Sequence, residues 1–347
     1  MKGAHMSEKV IIENKNLEKE VPVVENLLLS VKDLVVEYTA GGEVVHAVNG
    51  VSFDIKKGET LGLVGETGAG KTTIAKSILR ILPDPPAKVK GGEIILEGES
   101  LFELPEKRMR QIRGNRISMI FQDPMTALNP VMTVGDQISE AIKLHHKDLS
   151  HKDADLRACQ MLEKVGIPSS RFNEYPHQFS GGMKQRVGIA IALACNPQLI
   201  LADEPTTALD VTIQAQVLDM MKELREEQNT SMIMITHDLG VVAETCDKVA
   251  VVYAGEIIEM GSKEEIFDDP RHPYTLGLFG SIPKLTGDET RLRPIKGMPP
   301  DPTNLPEGCK FHPRCERCTK QCEAENVSLQ HIGGTHYVRC IYAEGKE

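Results

Sequence analysis

The stretch Gly65-Glu66-Thr67-Gly68-Ala69-Gly70-Lys71-Thr72 restricts the fold of this chain more than any other. It follows a compact apolar run, Thr60 to Val64, that reads as a buried strand. It precedes Thr72 to Leu82, where Ile74, Ile78 and Leu82 share one helical face and Pro83, Pro85 and Pro86 stop the helix. Strand, glycine-rich turn and helix in that order give G-x-x-x-x-G-K-[ST] the context its mechanism requires. The glycines let backbone N–H groups curl round phosphate oxygens at a helix N-terminus, where partial positive charge collects. Lys71 then reaches the β and γ oxygens of a nucleoside triphosphate, and the Thr72 hydroxyl is placed to hold Mg²⁺. Gly65 to Thr72, with Thr73 beyond, are the candidate ATP-binding residues.

Such a loop needs an acidic element at the end of a neighbouring core strand. Leu199-Ile200-Leu201-Ala202-Asp203-Glu204 supplies it: four apolar residues, a carboxylate for the magnesium shell, and a second carboxylate able to orient and deprotonate water. Alone, an Asp-Glu pair after a strand reads as a solvated strand end; beside the glycine loop it becomes the second half of a nucleotide site.

The rest of the chain is read around these two anchors. Leu34 to Tyr38, Val44 to Val48 and Val51 to Ile55 are short β-branched runs broken at Gly41-Gly42 and Asn49-Gly50, which predicts antiparallel strands. Residues from about Pro124 to His177 are mainly helical and charged. Ser180 to Ala194 is a helix stopped by Asn196-Pro197, and Asp210 to Gln228 is another, with Ile213, Val217, Met220, Met221 and Leu224 on one stripe. Met232 to Ile235 is a further core strand. This alternation predicts an α/β fold with a mainly parallel sheet covered on both faces.

Length and charge narrow the class. At 347 residues the chain exceeds one ordinary domain, which favours one large domain plus an appendage. No segment approaches the ~18 uninterrupted apolar residues of a membrane span. The N-terminus lacks the pattern of a secretory signal; Met1 to His5, ahead of a second Met6, read as an expression leader. A cytoplasmic location is therefore expected. A net charge of −10 disfavours a broad electrostatic grip on nucleic acid.

The segment Phe179-Ser180-Gly181-Gly182-Met183-Lys184-Gln185-Arg186 carries the reading to a family. It resembles the signature of the nucleotide-binding subunits of ABC transporters, with Phe first and Met-Lys inserted before the usual Gln. Physically it is a second capped helix N-terminus, an anion site that the first nucleotide does not need, so a partner is implied. The resemblance implies that Ser180, Gly181, Gly182 and Gln185 close over ATP held by an opposite subunit. It further implies that Gln122, in Phe121-Gln122-Asp123-Pro124, senses Mg²⁺ and the attacking water, and that Asp210, in Ala208-Leu209-Asp210, communicates across the dimer. His237 would contact the γ-phosphate, Glu204 would be the base, and Tyr38 would stack on adenine, a contact of roughly 1–3 kcal/mol by analogy with base stacking. The implied architecture is a P-loop core with an antiparallel β-subdomain and a helical subdomain at about 124–178. The boundaries expected are 1–26 for a tail, 27–265 for the cassette and 266–347 for a small Cys-rich C-terminal domain.

Within that family, Asp123-Pro124-Met125-Thr126-Ala127-Leu128-Asn129-Pro130, Arg271-His272-Pro273-Tyr274-Thr275, Gly297-Met298-Pro299-Pro300-Asp301 and Gly308-Cys309-Lys310-Phe311 resemble the oligopeptide and dipeptide importer branch. That resemblance implies an ATPase peripheral on the inner face of the membrane. It would pair with a second homologous ATPase and serve two permeases and an external solute-binding protein. A nickel importer of the same branch, or a soluble ABC ATPase acting on nucleic acid, are the alternatives.

The tail runs Cys309-x5-Cys315-x2-Cys318-x3-Cys322 and then Cys340, one cysteine more than a four-ligand site needs. Thiolates in a reducing compartment suit zinc or an iron–sulfur cluster better than disulfides. The branch resemblance implies Cys309, Cys315, Cys322 and Cys340 as ligands of a [4Fe–4S] cluster, with Cys318 spare. Zinc, served also by His312, His331 and His336, is the alternative, followed by free or oxidised thiols.

Overall fold

The computed structural model describes residues 26–207, 209–280 and 295–343. The leader expected at Met1 to His5, and Ala208 in the loop before Asp210, lie outside them.

Two long strands, β1 (Leu27–Ala40) and β2 (Glu43–Lys56), form a hairpin through Gly41 and Gly42, whose φ of 62° and 91° suit a tight turn. The sequence predicts a second break at Asn49-Gly50, but Gly50, at φ 79°, stays inside β2. The register steps from Leu34 opposite Val51 to Val35 opposite Asn49, so a β-bulge absorbs the extra residue. Then come β3 (Thr60–Val64), helix α1 (Lys71–Leu79), β4 (Ala87–Leu96), β5 (Glu99–Ser100), α2 (Glu106–Ile112) and β6 (Ile117–Ile120). Strands β2, β1, β4 and β5 make one antiparallel sheet. Helix α1 stops earlier than the Ile74, Ile78, Leu82 spacing predicts. Arg80, left-handed at φ 52°, returns its N–H to the Lys76 and Ser77 carbonyls before the prolines are reached.

The helical block follows as α3 (Pro124–Ala127), α4 (Val134–His145) and α5 (His151–Lys164), the last two N-capped by Thr133 and Ser150. The chain re-enters the core through α6 (Gly181–Leu193), β7 (Leu199–Asp203), α7 (Val211–Gln228), β8 (Ser231–Ile235), α8 (Leu239–Thr245) and β9 (Lys248–Tyr253). It ends with β10 (Glu256–Ser262), α9 (Lys263–Asp268), α10 (Pro273–Gly280), α11 (Lys320–Ala324), β11 (Gln330–Gly333) and β12 (His336–Val338).

The main sheet has the order β11-β12-β10-β9-β3-β8-β7-β6. Its strands from β9 to β6 are parallel. All residues of β3, β7 and β8 are buried, as expected of strands covered on both faces. Alternate residues feed two apolar layers. Val64, Ile200, Ala202, Met232 and Met234 face α6, α7 and the helical block, while Leu61, Leu63, Leu199, Leu201, Ile233 and Ile235 face α1 and the antiparallel sheet.

The C-terminal region, expected as a small Cys-rich domain at 266–347, shares the main sheet with the cassette. Strand β12 pairs with β10 (Glu259 opposite Val338, Met260 opposite Tyr337), so the C-terminal hairpin is part of the main sheet. Glu259, fully buried, accepts the N–H groups of Arg271 (2.6 Å) and His272 (2.9 Å) and lies 2.8 Å from His336 Nε2.

Candidate functional site

The ends of β3 and β7 bring the two sequence anchors together. Beyond β3 the chain turns at Gly65 (φ 147°), where an added Cβ would lie 2.1 Å from the Val252 carbonyl, and at Gly70 (φ 101°), where one would lie 2.3 Å from the Ala47 carbonyl. Only glycine fits either place. Inside the loop Lys71, at 6% exposure, donates to the carbonyls of Gly65 (2.7 Å) and Glu66 (2.9 Å). Burial pulls its pKa below the ordinary lysine value, against the opposing pull of Glu204, Asp203 and Glu66. Thr72 donates its hydroxyl to Asp203 at 2.9 Å. Burial pushes the Asp203 carboxyl above its usual range, Thr72 opposes this, and Glu204 adds to it. A desolvated ammonium and a desolvated carboxylate are each short of counter-charge, and a triphosphate with a divalent cation provides both.

Glu204 is set apart from Asp203 by its backbone. Its N–H still pairs with the Ile235 carbonyl (2.8 Å), but φ is 48°, a left-handed value that side chains with a Cβ seldom adopt. The turn leaves Asp203 in the core and directs Glu204 outward. There Gln122 Nε2 donates to Oε2 at 2.9 Å, the Thr207 hydroxyl donates to the same oxygen at 2.9 Å, and His237 Nδ1 stands 3.3 Å from Oε1. Gln122, Glu204 and His237, expected together from the family resemblance, thus meet at one carboxylate. Thr207 was missed; its signal was a hydroxyl three residues beyond the carboxylate. Tyr38, half-buried on β1, has its Oη 3.4 Å from Thr73 Oγ1, so its ring stands beside the start of α1.

The signature residues separate. Ser180 caps α6, its Oγ accepting the Met183 N–H at 3.3 Å, and Ser180 and Gly181 are exposed with Gly182 half-buried. Gln185, expected to act with them, is 2% exposed and lines an apolar groove between α6 and the β6 end of the core. Gln185 lies four residues after Gly181 and so on the same side of α6, but one full turn further along, where the core covers it. Asp210 caps α7, accepting the Ile213 N–H at 3.0 Å.

The C-terminal region reaches the phosphate loop from behind. Tyr274 Oη accepts the Glu66 N–H at 3.0 Å, and the Arg314 guanidinium donates to both Glu66 carboxylate oxygens, at 2.7 and 2.9 Å. Sequence reasoning missed both contacts, since partners more than two hundred residues apart carry no local signal.

All the cysteines are free thiols. Cys309, Cys315, Cys322 and Cys340 line one small cavity with His272 and Phe311, whereas Cys318 does not reach it. Burial raises the pKa of Cys309, Cys315 and Cys340 above the ordinary thiol value. Among the described residues no three or more His, Cys, Asp or Glu side chains stand close enough to hold a metal ion. Two histidines considered for zinc are engaged elsewhere, His331 with the Gly334 carbonyl (3.0 Å) and His336 with Glu259. Among the described residues no helix is long and apolar enough to cross a membrane.

Comparison with known proteins supplies the class. Residues 48–207 match the ABC transporter family, and residues 258–322 match the oligopeptide/dipeptide transporter C-terminal region. The oligopeptide transport ATP-binding protein OppD of Bacillus subtilis (strain 168) is 52% identical over 315 residues, covering 90% of this chain and 88% of that protein. The dipeptide transport ATP-binding protein DppD of the same organism is 51% identical over 315 residues, covering 90% and 94%. Among solved structures, the ATP-binding cassette MJ0796, a dimer in a post-hydrolysis state bound to ADP and Pi, matches with a TM-score of 0.62. It is 28% identical, and the match covers 68% of this chain and 99% of that one. CbiO1 from Clostridium perfringens, part of the ABC transporter complex cbiONQ, matches with a TM-score of 0.60 and 28% identity, covering 71% and 92%. Half the residues shared along nine-tenths of the chain is membership rather than likeness: the protein belongs to the ABC transporter ATP-binding subunits and carries the oligopeptide/dipeptide C-terminal region.

Proposed function

We propose that this chain hydrolyses ATP to drive import of di- or oligopeptides across the cytoplasmic membrane, acting from its inner face. The observation that carries the hydrolytic part is the convergence of Gln122, Thr207 and His237 on Glu204, one residue beyond the Asp203 that holds Thr72. A carboxylate oriented in this way takes the proton of an attacking water. Lys71 and the loop N–H groups hold the β and γ phosphates, and Tyr38 faces the adenine. Thr72 and Gln122 would bind Mg²⁺ with Asp203 behind them, and the bound ion neutralises charge on the transferring phosphoryl group.

Ser180 and Gly181, exposed at the start of α6, close over the nucleotide of a second, related ATPase, and Asp210 lies at the same junction. Two permeases and an external solute-binding protein complete the assembly. The groove lined by Phe121, Leu128 and Leu144 supports a permease contact: Phe121 and Leu144 are 46% and 64% exposed, and Phe121 adjoins Gln122. The peptide cargo rests on the match of the C-terminal region and on the relatives' names. For the tail, Cys309, Cys315, Cys322 and Cys340 share one cavity that Cys318 does not reach, but a [4Fe–4S] cluster, or zinc, on these four would require the thiols to draw closer together than they stand.

The test is Glu204→Gln in the assembled transporter. ATP binding should match the parent while hydrolysis falls at least ~100-fold, because the amide keeps the shape but cannot take the proton. Hydrolysis at the parental rate would show that Glu204 is not the base. Parental ATPase activity should rise with peptide-loaded binding protein and not with nickel.

A further inference from the structure

We propose that Arg314 is a positioning residue for nucleotide binding, acting through Glu66 of the phosphate loop. The proposal rests on the reading of residues 65–72 as the ATP site.

Glu66 brings a negative charge into a loop whose task is to hold a triphosphate, and the chain neutralises it from 248 residues away. The Arg314 guanidinium makes two parallel bonds to the carboxylate, 2.7 and 2.9 Å, the fork geometry that arginine supplies and lysine cannot. Arg314 is itself fixed: its side chain is 5% exposed, Nε donates to the Lys296 carbonyl (3.1 Å), and Nη1 also donates to Tyr253 Oη (3.3 Å). Its guanidinium lies 5.7 and 5.9 Å from the ring centres of Tyr253 and Phe311. Phe311 stands edge-on to Tyr253 at 5.3 Å and to Tyr274 at 5.4 Å, and Tyr274 accepts the Glu66 N–H. The Glu66 carbonyl in turn accepts from Lys71. One residue is therefore held by side chain and N–H from the C-terminal region while its carbonyl holds the lysine that meets the phosphates.

Two consequences separate. Without Arg314 the loop loses a brace, and an unneutralised carboxylate stands beside the triphosphate. Only the second is relieved by removing Glu66 as well. The affinity of the full-length chain for Mg²⁺ and a fluorescent N-methylanthraniloyl-ATP would be measured for the parent, Arg314→Ala, Glu66→Ala and the double variant. Arg314→Met, which retains the apolar stem among the aromatic rings, serves should Arg314→Ala not fold, and Lys71→Ala is the control. The expected result is a rise in Kd of about tenfold for loss of Arg314, shrinking to about threefold in the double variant, and in the assembled transporter the loss in the single Arg314 variants should fall on KM for ATP rather than on kcat. Arg314→Lys should recover only part of the loss. Parental affinity in the folded Arg314 variants, or a loss that removing Glu66 does not relieve, overturns the proposal. Parental affinity in Lys71→Ala would instead remove the ATP-site reading on which it rests.

Discussion

Thr207 donates its hydroxyl to the Glu204 oxygen that Gln122 also serves. A hydrogen bond to a charged group contributes about 1.5 kcal/mol or more, and 1.4 kcal/mol is tenfold in rate. Thr207→Val should therefore lower kcat about tenfold at unchanged ATP affinity, as steady-state ATPase assays would show; parental kcat would make the contact incidental. The cysteines outside the tail give a pH prediction. Cys195 and Cys246 are buried, and desolvation pushes both thiols up to about 11, whereas Cys159 on α5 is half-exposed. The thiolate is the nucleophile, so at pH 8 these two are ionised to roughly a thousandth, against roughly a quarter for a free cysteine near 8.5. Alkylation by iodoacetamide, followed by mass spectrometry, should be at least ~100-fold slower at Cys195 and Cys246 in the folded protein than in urea. Between pH 8 and 9 the folded rate should rise about tenfold and the denatured rate only about threefold, since the denatured thiols already titrate there. At this scale the sequence was informative, because Lys71, Asp203, Gln122, Glu204 and His237 belong to short motifs. Motif position does not tell burial: Gln185 is buried while Ser180 and Gly181 are exposed.

Helix α6 begins at a serine whose Oγ takes the Met183 N–H. Losing such a cap costs about 1 kcal/mol, so Ser180→Ala should lower the melting temperature of the isolated chain by about 1–2 °C. In the assembled transporter a much larger loss of hydrolysis than this destabilisation explains is expected, since Ser180 is exposed where the second ATPase would close. Where local chemistry sets an element, the sequence revealed it: the Gly41-Gly42 turn, the capped starts of α6 and α7, and the buried strands β3, β7 and β8 all lie where their residues suggest. Where a long-range partner decides, it did not. Gly50 breaks the hydrophobic pattern of β2 but not the strand, because β1 pairs on both sides of the bulge. Arg80 ends α1 early through a backbone conformation that apolar periodicity does not encode.

For the molecule as a whole, the telling residue is Glu259, fully buried in β10 with His336 of β12 against it. His336→Ala leaves the carboxylate two backbone N–H donors but removes its third partner, which should cost about 1–3 kcal/mol and lower the urea midpoint at pH 7 accordingly. An unchanged midpoint would mean that the cassette does not depend on its C-terminal hairpin. That dependence was invisible in the sequence, where Pro, Gly and Cys suggested an appendage; only the pairing of Glu259 and Met260 with Val338 and Tyr337 makes the tail part of the sheet. The same pairing bears on how the chain is made. Strand β10 presents an open row of backbone donors and acceptors until β12 arrives, about 70 residues later in synthesis. Unpaired edges of this kind template aggregation. A nascent chain halted between residues 262 and 336 would carry a nearly finished nucleotide site beside a sticky margin, which stays open until the β11–β12 hairpin covers it.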